Sequence, residues 1–110
     1  MRLFIRNSDR VLADLIHRRF TFALGRFDGR IHSVTVRILD VNGPRGGIDK
    51  QGRVTVRVRG DAWPIVIENI DADAAVAIDR LADRTARAVA RAVRTLRDWP
   101  SRDRRLQEAW

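Results

Sequence analysis

From residue 72 to residue 98 the sequence keeps one helical period without a break, "ADAAVAIDRLADRTARAVARAVRTLRD". At about 100° per residue, Ile78, Ala82, Thr85, Val89, Val93 and Leu96 fall on one side. Arg80, Arg84, Arg87, Arg91 and Arg94 fall on the other, in a narrow stripe. Asp71 or Asp73 stands where an N-cap belongs, and Pro100 ends the helix. A helix of this length with one apolar side needs a second apolar layer to cover, because tertiary packing supplies most helical stability.

Alternating strands supply that layer. "RVTVRVR", residues 53–59, turns Val54, Val56 and Val58 one way and Arg53, Thr55, Arg57 and Arg59 the other. In "IHSVTVRIL", residues 31–39, His32, Val34, Val36 and Ile38 share the buried parity, while Ser33, Thr35 and Arg37 share the polar one. His32 is therefore expected as a partly buried core histidine. "RLFIR" (2–6) makes a short first strand with Leu3 and Ile5 on one side, and "PIVIEN" (64–69) makes a fourth, whose Pro64 suits a strand start or an edge. Between the first two strands, apolar residues 12, 15, 16, 20 and 23 mark a helix over 11–24, with Ser8 placed as N-cap, Asp9 in the first turn and Gly25 as the C-terminal stop.

The order is β-α-β-β-β-α. A helix between strands one and two demands a parallel pair with a right-handed crossover, and the short loops that follow demand antiparallel pairs. The expected architecture is α+β: a two-layer sandwich of a four-stranded mixed sheet with two helices on one face. A chain of 110 residues with 45% hydrophobic residues builds one such core. Residues 1–98 are assigned to the domain and residues 99–110 to a polar C-terminal tail.

Charge narrows the function classes. The chain has 22 basic and 14 acidic residues, a formal net charge of +8, and Lys50 is its only lysine. Such an excess favours a polyanionic partner. Along the long helix, Arg80–Arg84 and Arg87–Arg91 are like-charge i,i+4 pairs, each unfavourable by roughly 0.2–0.5 kcal/mol in an isolated helix. Only Asp83–Arg87 and Arg94–Asp98 offset them, so the stripe fits an anionic partner better than bulk water. The polar parity of residues 33–37 and 53–59 forms a second basic surface.

Catalytic and metal chemistry find little footing. With no cysteine and two histidines far apart in sequence, thiolate catalysis and a transition-metal site lack their ligands. Ser8, Ser33 and Ser101 have no nucleophile-elbow context. The glycine-rich stretch "DVNGPRGGIDKQGR", residues 40–53, has Gly47 and Gly52 at phosphate-loop spacing, but Arg53-Val54 and a strand follow where Lys, a hydroxyl residue and a helix are required. It is expected to be a long flexible hairpin loop whose glycines serve the reversal and whose Arg45 and Lys50 are placed to brush a polyanionic partner. The start "MRLFIRNSDR" has no apolar core of a signal peptide, and no stretch approaches the roughly 20 apolar residues that span a bilayer. The expected protein is cytoplasmic, is not an enzyme, and uses no cofactor, metal, membrane or small-molecule substrate.

The order of elements and the segments "DVNGPRGGIDK" and "DADAAVAIDRLADRTARAVAR" resemble the ribosome hibernation-promoting factor and ribosome-associated inhibitor A family, in its short form, over roughly residues 1–97. Most telling is an Asp-initiated last helix, here Asp73, carrying Ala77-Ile78-Asp79 and then Arg84, Arg87 and Arg91. The chain departs from the family pattern at Ala74-Ala75-Val76, which lacks an aromatic residue, and at Ala88, where a glutamine is frequent. The resemblance implies a fold similar to a double-stranded RNA-binding domain. It also implies binding to the small ribosomal subunit and its rRNA near the decoding region, holding ribosomes inactive under stress. RNA contact by Arg84, Arg87 and Arg91 follows from it. The full expected set is Arg80, Arg84, Arg87, Arg91, Arg94, Arg37, Arg53, Arg57, Arg59, Arg45 and Lys50, on a protein that is monomeric when free. Two alternatives stand beside this one: an RNA-binding module with a non-ribosomal target, and a protein-interaction domain with an acidic partner.

Overall fold

The valine alternation builds the middle of a four-stranded sheet of order β1-β2-β3-β4 in a computed structural model, which describes residues 1–42 and 48–98. The elements are β1 (Arg2–Arg6), α1 (Arg10–Leu24), a 3-10 helix (Gly25–Arg30), β2 (Ile31–Asn42), β3 (Ile48–Val58), β4 (Ile65–Asp71) and α2 (Ala74–Asp98). β1 and β2 pair in parallel, and the β2–β3 and β3–β4 pairs are antiparallel, as the connections require. The α+β sandwich read from the sequence is the one observed. Arg45 and residues 99–110, including Pro100, lie outside the described residues.

Both helices lie on the same side of the sheet. Val34, Val36 and Ile38 of β2 and Val54, Val56 and Val58 of β3 meet Ile16, Phe20 and Leu24 of α1 and Ile78, Leu81, Val89 and Leu96 of α2 in one buried cluster. Each large side chain in it contributes about 1.5–3 kcal/mol by leaving water. α2 spans β3 and β4 and packs beside α1, and among the described residues nothing covers the opposite sheet face.

Three local expectations are corrected: the cap of α1, the burial of His32 and the glycine-rich loop. Asp9, not Ser8, caps α1: its Oδ1 accepts from the Leu12 N–H at 2.8 Å, while the Ser8 hydroxyl donates to the Arg6 carbonyl. Asn7, at φ 56°, reverses the chain between β1 and the helix, in a left-handed conformation that Asn tolerates. Gly25 is the C-cap at which α1 ends, as expected, but not in a left-handed conformation. At φ −55° and ψ −39° it stays right-handed, and the chain tightens into the 3-10 helix. The glycine that does need positive φ is Gly60, at 83°, in the turn after β3, where the Asp61 N–H donates to the Val58 carbonyl at 3.1 Å.

His32 is exposed rather than buried. The β2–β3 register passes from Ile31↔Val58 to Ser33↔Arg57, which leaves His32 as the extra residue of a bulge. The buried parity therefore shifts: Ile31 is buried before the bulge and Val34 after it.

The glycine-rich stretch is mostly ladder. Asp40↔Lys50, Val41↔Asp49 and Asn42↔Ile48 continue the β2–β3 hairpin well beyond the expected strand ends. Gly52 serves packing rather than reversal. Its backbone sits under α2, and a Cβ there would overlap Leu81 Cδ1 and lie 3.3 Å from Ile38 Cδ1.

Candidate nucleic-acid interface

Two basic surfaces emerge from these elements. The first is the solvent side of α2. Asp73 starts that helix: its Oδ1 accepts from the Ala75 N–H at 2.8 Å and its carbonyl from the Ala77 N–H at 3.0 Å. The apolar side of the helix sets its rotation over the sheet, with Ala77, Ile78, Leu81, Ala82, Thr85, Ala88, Val89 and Leu96 buried. Arg80, Arg84, Arg87, Arg91 and Arg94 are all exposed.

The stripe is not uniform. Arg80 pairs with Asp71 at 3.1 Å, and Arg87 pairs with Asp83 one turn earlier. Arg84 donates to the Glu68 main-chain carbonyl of β4 at 2.7 Å. Arg91 and Arg94 have no acidic partner among the described residues. The expected Arg94–Asp98 pair does not form, because Asp98 pairs with the adjacent Arg97 at 3.3 Å. Asp79 reaches across to Arg19 of α1 at 3.0 Å, tying the two helices together. At the far end of α2, Arg26, Phe27, Ala90, Val93, Arg94 and Arg97 line a shallow depression, with the Arg26 guanidinium 4.7 Å from the Phe27 ring centroid. Arg26 thus joins Arg94 and Arg97.

The second surface is the uncovered sheet face. Arg37, Arg53 and Arg57 project from it, and Arg59 lies exposed just past the end of β3, its N–H bonded to the Arg30 carbonyl at 2.8 Å. Parallel pairing adds β1 to the same face, because Arg2 stands opposite Ser33 and Arg6 opposite Arg37. Arg2, Arg6 and Arg26 were missed from sequence. For the β1 pair the signal was there: if Leu3 and Ile5 face the core, Arg2, Phe4 and Arg6 face away from it.

Lys50 is corrected. Its register with Asp40 and Asp71 puts it on the helix-facing parity, and it pairs with Asp40 instead of standing free beside the arginines. The two surfaces meet at the β4 edge. There Glu68 takes Arg84 from the helix side on its carbonyl, and Arg53 from the outer face on its carboxylate at 3.0 Å. Among the described residues no cluster of three His, Asp or Glu side chains could hold a metal ion, and no helix is long and apolar enough to cross a membrane.

No family model matches the chain, and no curated protein matches it in sequence. Solved structures do match in fold. The N-terminal domain of Thermus thermophilus Protein Y superposes with a TM-score of 0.57 at 20% identity, covering 82% of this chain and 93% of that one. A ribosomal subunit interface protein from Coxiella burnetii superposes with a TM-score of 0.59 at 11% identity, covering 82% and 92%. The chain has their fold. At this identity the likeness carries the β-α-β-β-β-α arrangement and the packing of both helices on one sheet face.

Proposed function

We propose that the protein is a non-enzymatic, cytoplasmic RNA-binding module that associates with the small ribosomal subunit through rRNA near the decoding region and holds ribosomes inactive under stress. Residues 1–98 form the binding domain, and residues 99–110 form a tail. The observation that carries this reading is the exposed α2 stripe, in which Arg91 and Arg94, without an acidic partner among the described residues, continue the line of Arg80, Arg84 and Arg87. The fold shared with a ribosomal subunit interface protein and the resemblance of the Asp73–Arg91 segment support it.

The chemistry is electrostatic. Guanidinium groups fork onto phosphate oxygens and release condensed counterions, and shape rather than base identity sets position. Arg80, Arg84, Arg87, Arg91 and Arg94 are the helix-borne contacts, and Arg37, Arg53, Arg57 and Arg59 belong to the second surface. Arg45 and Lys50 complete the set, Lys50 only if the anion displaces Asp40.

Co-sedimentation with purified small subunits across a salt series tests the assignment. With about five phosphate contacts the log–log slope is on the order of −3 to −5. A flat salt dependence, or undiminished binding after Arg84, Arg87 and Arg91 are all replaced by Glu, overturns it. Nuclease treatment that leaves a cellular partner bound would favour an acidic protein, and sedimentation away from ribosomal particles a different RNA.

A further inference from the structure

The uncovered sheet face has an internal order that a merely solvated surface does not need. In register across the strands, Phe4, Thr35, Thr55 and Val66 form one row. On one side of it runs Arg2, Ser33 and Arg57, and on the other Arg6, Arg37, Arg53 and Glu68. A shallow trough with hydroxyl and apolar groups on its floor is thus bordered by guanidinium groups on both sides, the borders roughly 13 Å apart along the strands.

The row through Arg6, Arg37 and Arg53 places like charges directly opposite one another, which is unfavourable in a sheet. Only Arg53 finds an acid there, Glu68, and Arg2, Arg6, Arg37 and Arg57 have no acidic partner among the described residues. Phe4 stands in the trough with the Arg2 and Arg6 guanidinium carbons 5.4 and 5.9 Å from its ring centroid. Both arginines are exposed, so these are weak cation–π contacts that a phosphate can draw away, baring the ring face.

We infer that this face is a second nucleic-acid site, one that takes an unpaired RNA segment. A base stacks on Phe4 over the Thr35–Thr55 floor, and the flanking phosphates sit on Arg2 and Arg57 to one side and Arg6 and Arg37 to the other. One aromatic ring between cationic borders suits single strands, whose bases are free to stack, and not a duplex, whose bases are hidden. The inference rests on the RNA-binding reading above and deepens it: to Arg37 and Arg57 of the second surface it adds Arg2, Arg6 and the Phe4 ring, and it assigns that surface an unpaired form of RNA.

Fluorescence anisotropy of the full chain with a labelled oligouridine of about eight nucleotides, and separately with a labelled RNA hairpin duplex, tests it. The expected result is that Phe4→Leu weakens oligouridine binding about tenfold or more, Phe4→Tyr retains it, and neither changes duplex binding. Oligouridine binding equal in Phe4→Leu and wild type overturns the inference. An equal loss on the duplex, or polyglutamate binding that shows the same Phe4 dependence, also overturns it. A wild-type protein that ignores small subunits yet shows the Phe4-dependent oligouridine binding overturns the ribosomal assignment and leaves this one standing.

Discussion

The Arg84 guanidinium donates to the Glu68 main-chain carbonyl at 2.7 Å, fastening the outer side of α2 to edge strand β4. The same Glu68 carries Arg53 on its carboxylate, so the helix stripe and the sheet face share an anchor. Arg84 thus has a structural task as well as the proposed RNA contact. Arg84→Ala is expected to lower stability by up to about 1 kcal/mol, the hydrogen bond being discounted for its exposure. Urea unfolding reads the loss, and an Arg84→Ala midpoint equal to wild type would show that the bond contributes nothing.

Arg91 and Arg94 differ from Arg84 in having no partner to lose among the described residues. Replacing both with Ala is expected to leave the urea midpoint unchanged and to flatten the small-subunit salt slope by about 1.5–2. The pairing Arg87–Asp83 lets the same comparison run the other way. Asp83→Ala frees that guanidinium and should tighten subunit binding at low salt. Weaker binding by Asp83→Ala would mean that the ion pair positions Arg87 rather than competing for it.

Gly52 lies where β3 passes beneath Leu81, and no methyl group fits without moving that fully buried side chain. Gly52→Ala is expected to destabilise the fold by about 1–3 kcal/mol, the range for overpacking a close-packed core. A paired Leu81→Ala should recover part of the Gly52→Ala loss relative to the sum of the two single changes. Additive losses in thermal or urea unfolding would argue that the two residues do not collide.

The element order, sheet topology and buried sides of β3 and α2 were legible because they rest on long, uninterrupted periods. Val54, Val56 and Val58 cannot exchange faces with Arg53 and Arg57 without exposing a core row. What escaped were features that depend on one residue or on partners remote in sequence. The His32 bulge inverts a parity that sequence alternation takes as constant, and Asn7 delays the α1 cap by one residue through its own left-handed turn. The basic sheet face was read only in part, because Arg2 and Arg6 join Arg37 through a parallel pairing set by the crossover through α1. Lys50 looked like a loop cation because ladder pairing across a glycine-rich segment leaves no periodic trace.

Among the described residues Thr85 is the polar residue inside the core, 0% exposed and with no hydrogen-bond partner for its Oγ1. Its position on the apolar side of α2 was foreseen, but a buried hydroxyl without a partner forfeits its hydration for nothing in return. Thr85→Val keeps the β-branched shape and removes that penalty, so it is expected to raise stability by about 1 kcal/mol. Thr95 provides the contrast, since its hydroxyl donates to the Arg91 carbonyl at 2.9 Å, and Thr95→Val should bring no gain. Side-by-side urea midpoints decide the matter. A Thr85→Val midpoint at or below wild type would mean that the hydroxyl is satisfied in solution, by a bound water or by the backbone carbonyl one turn back.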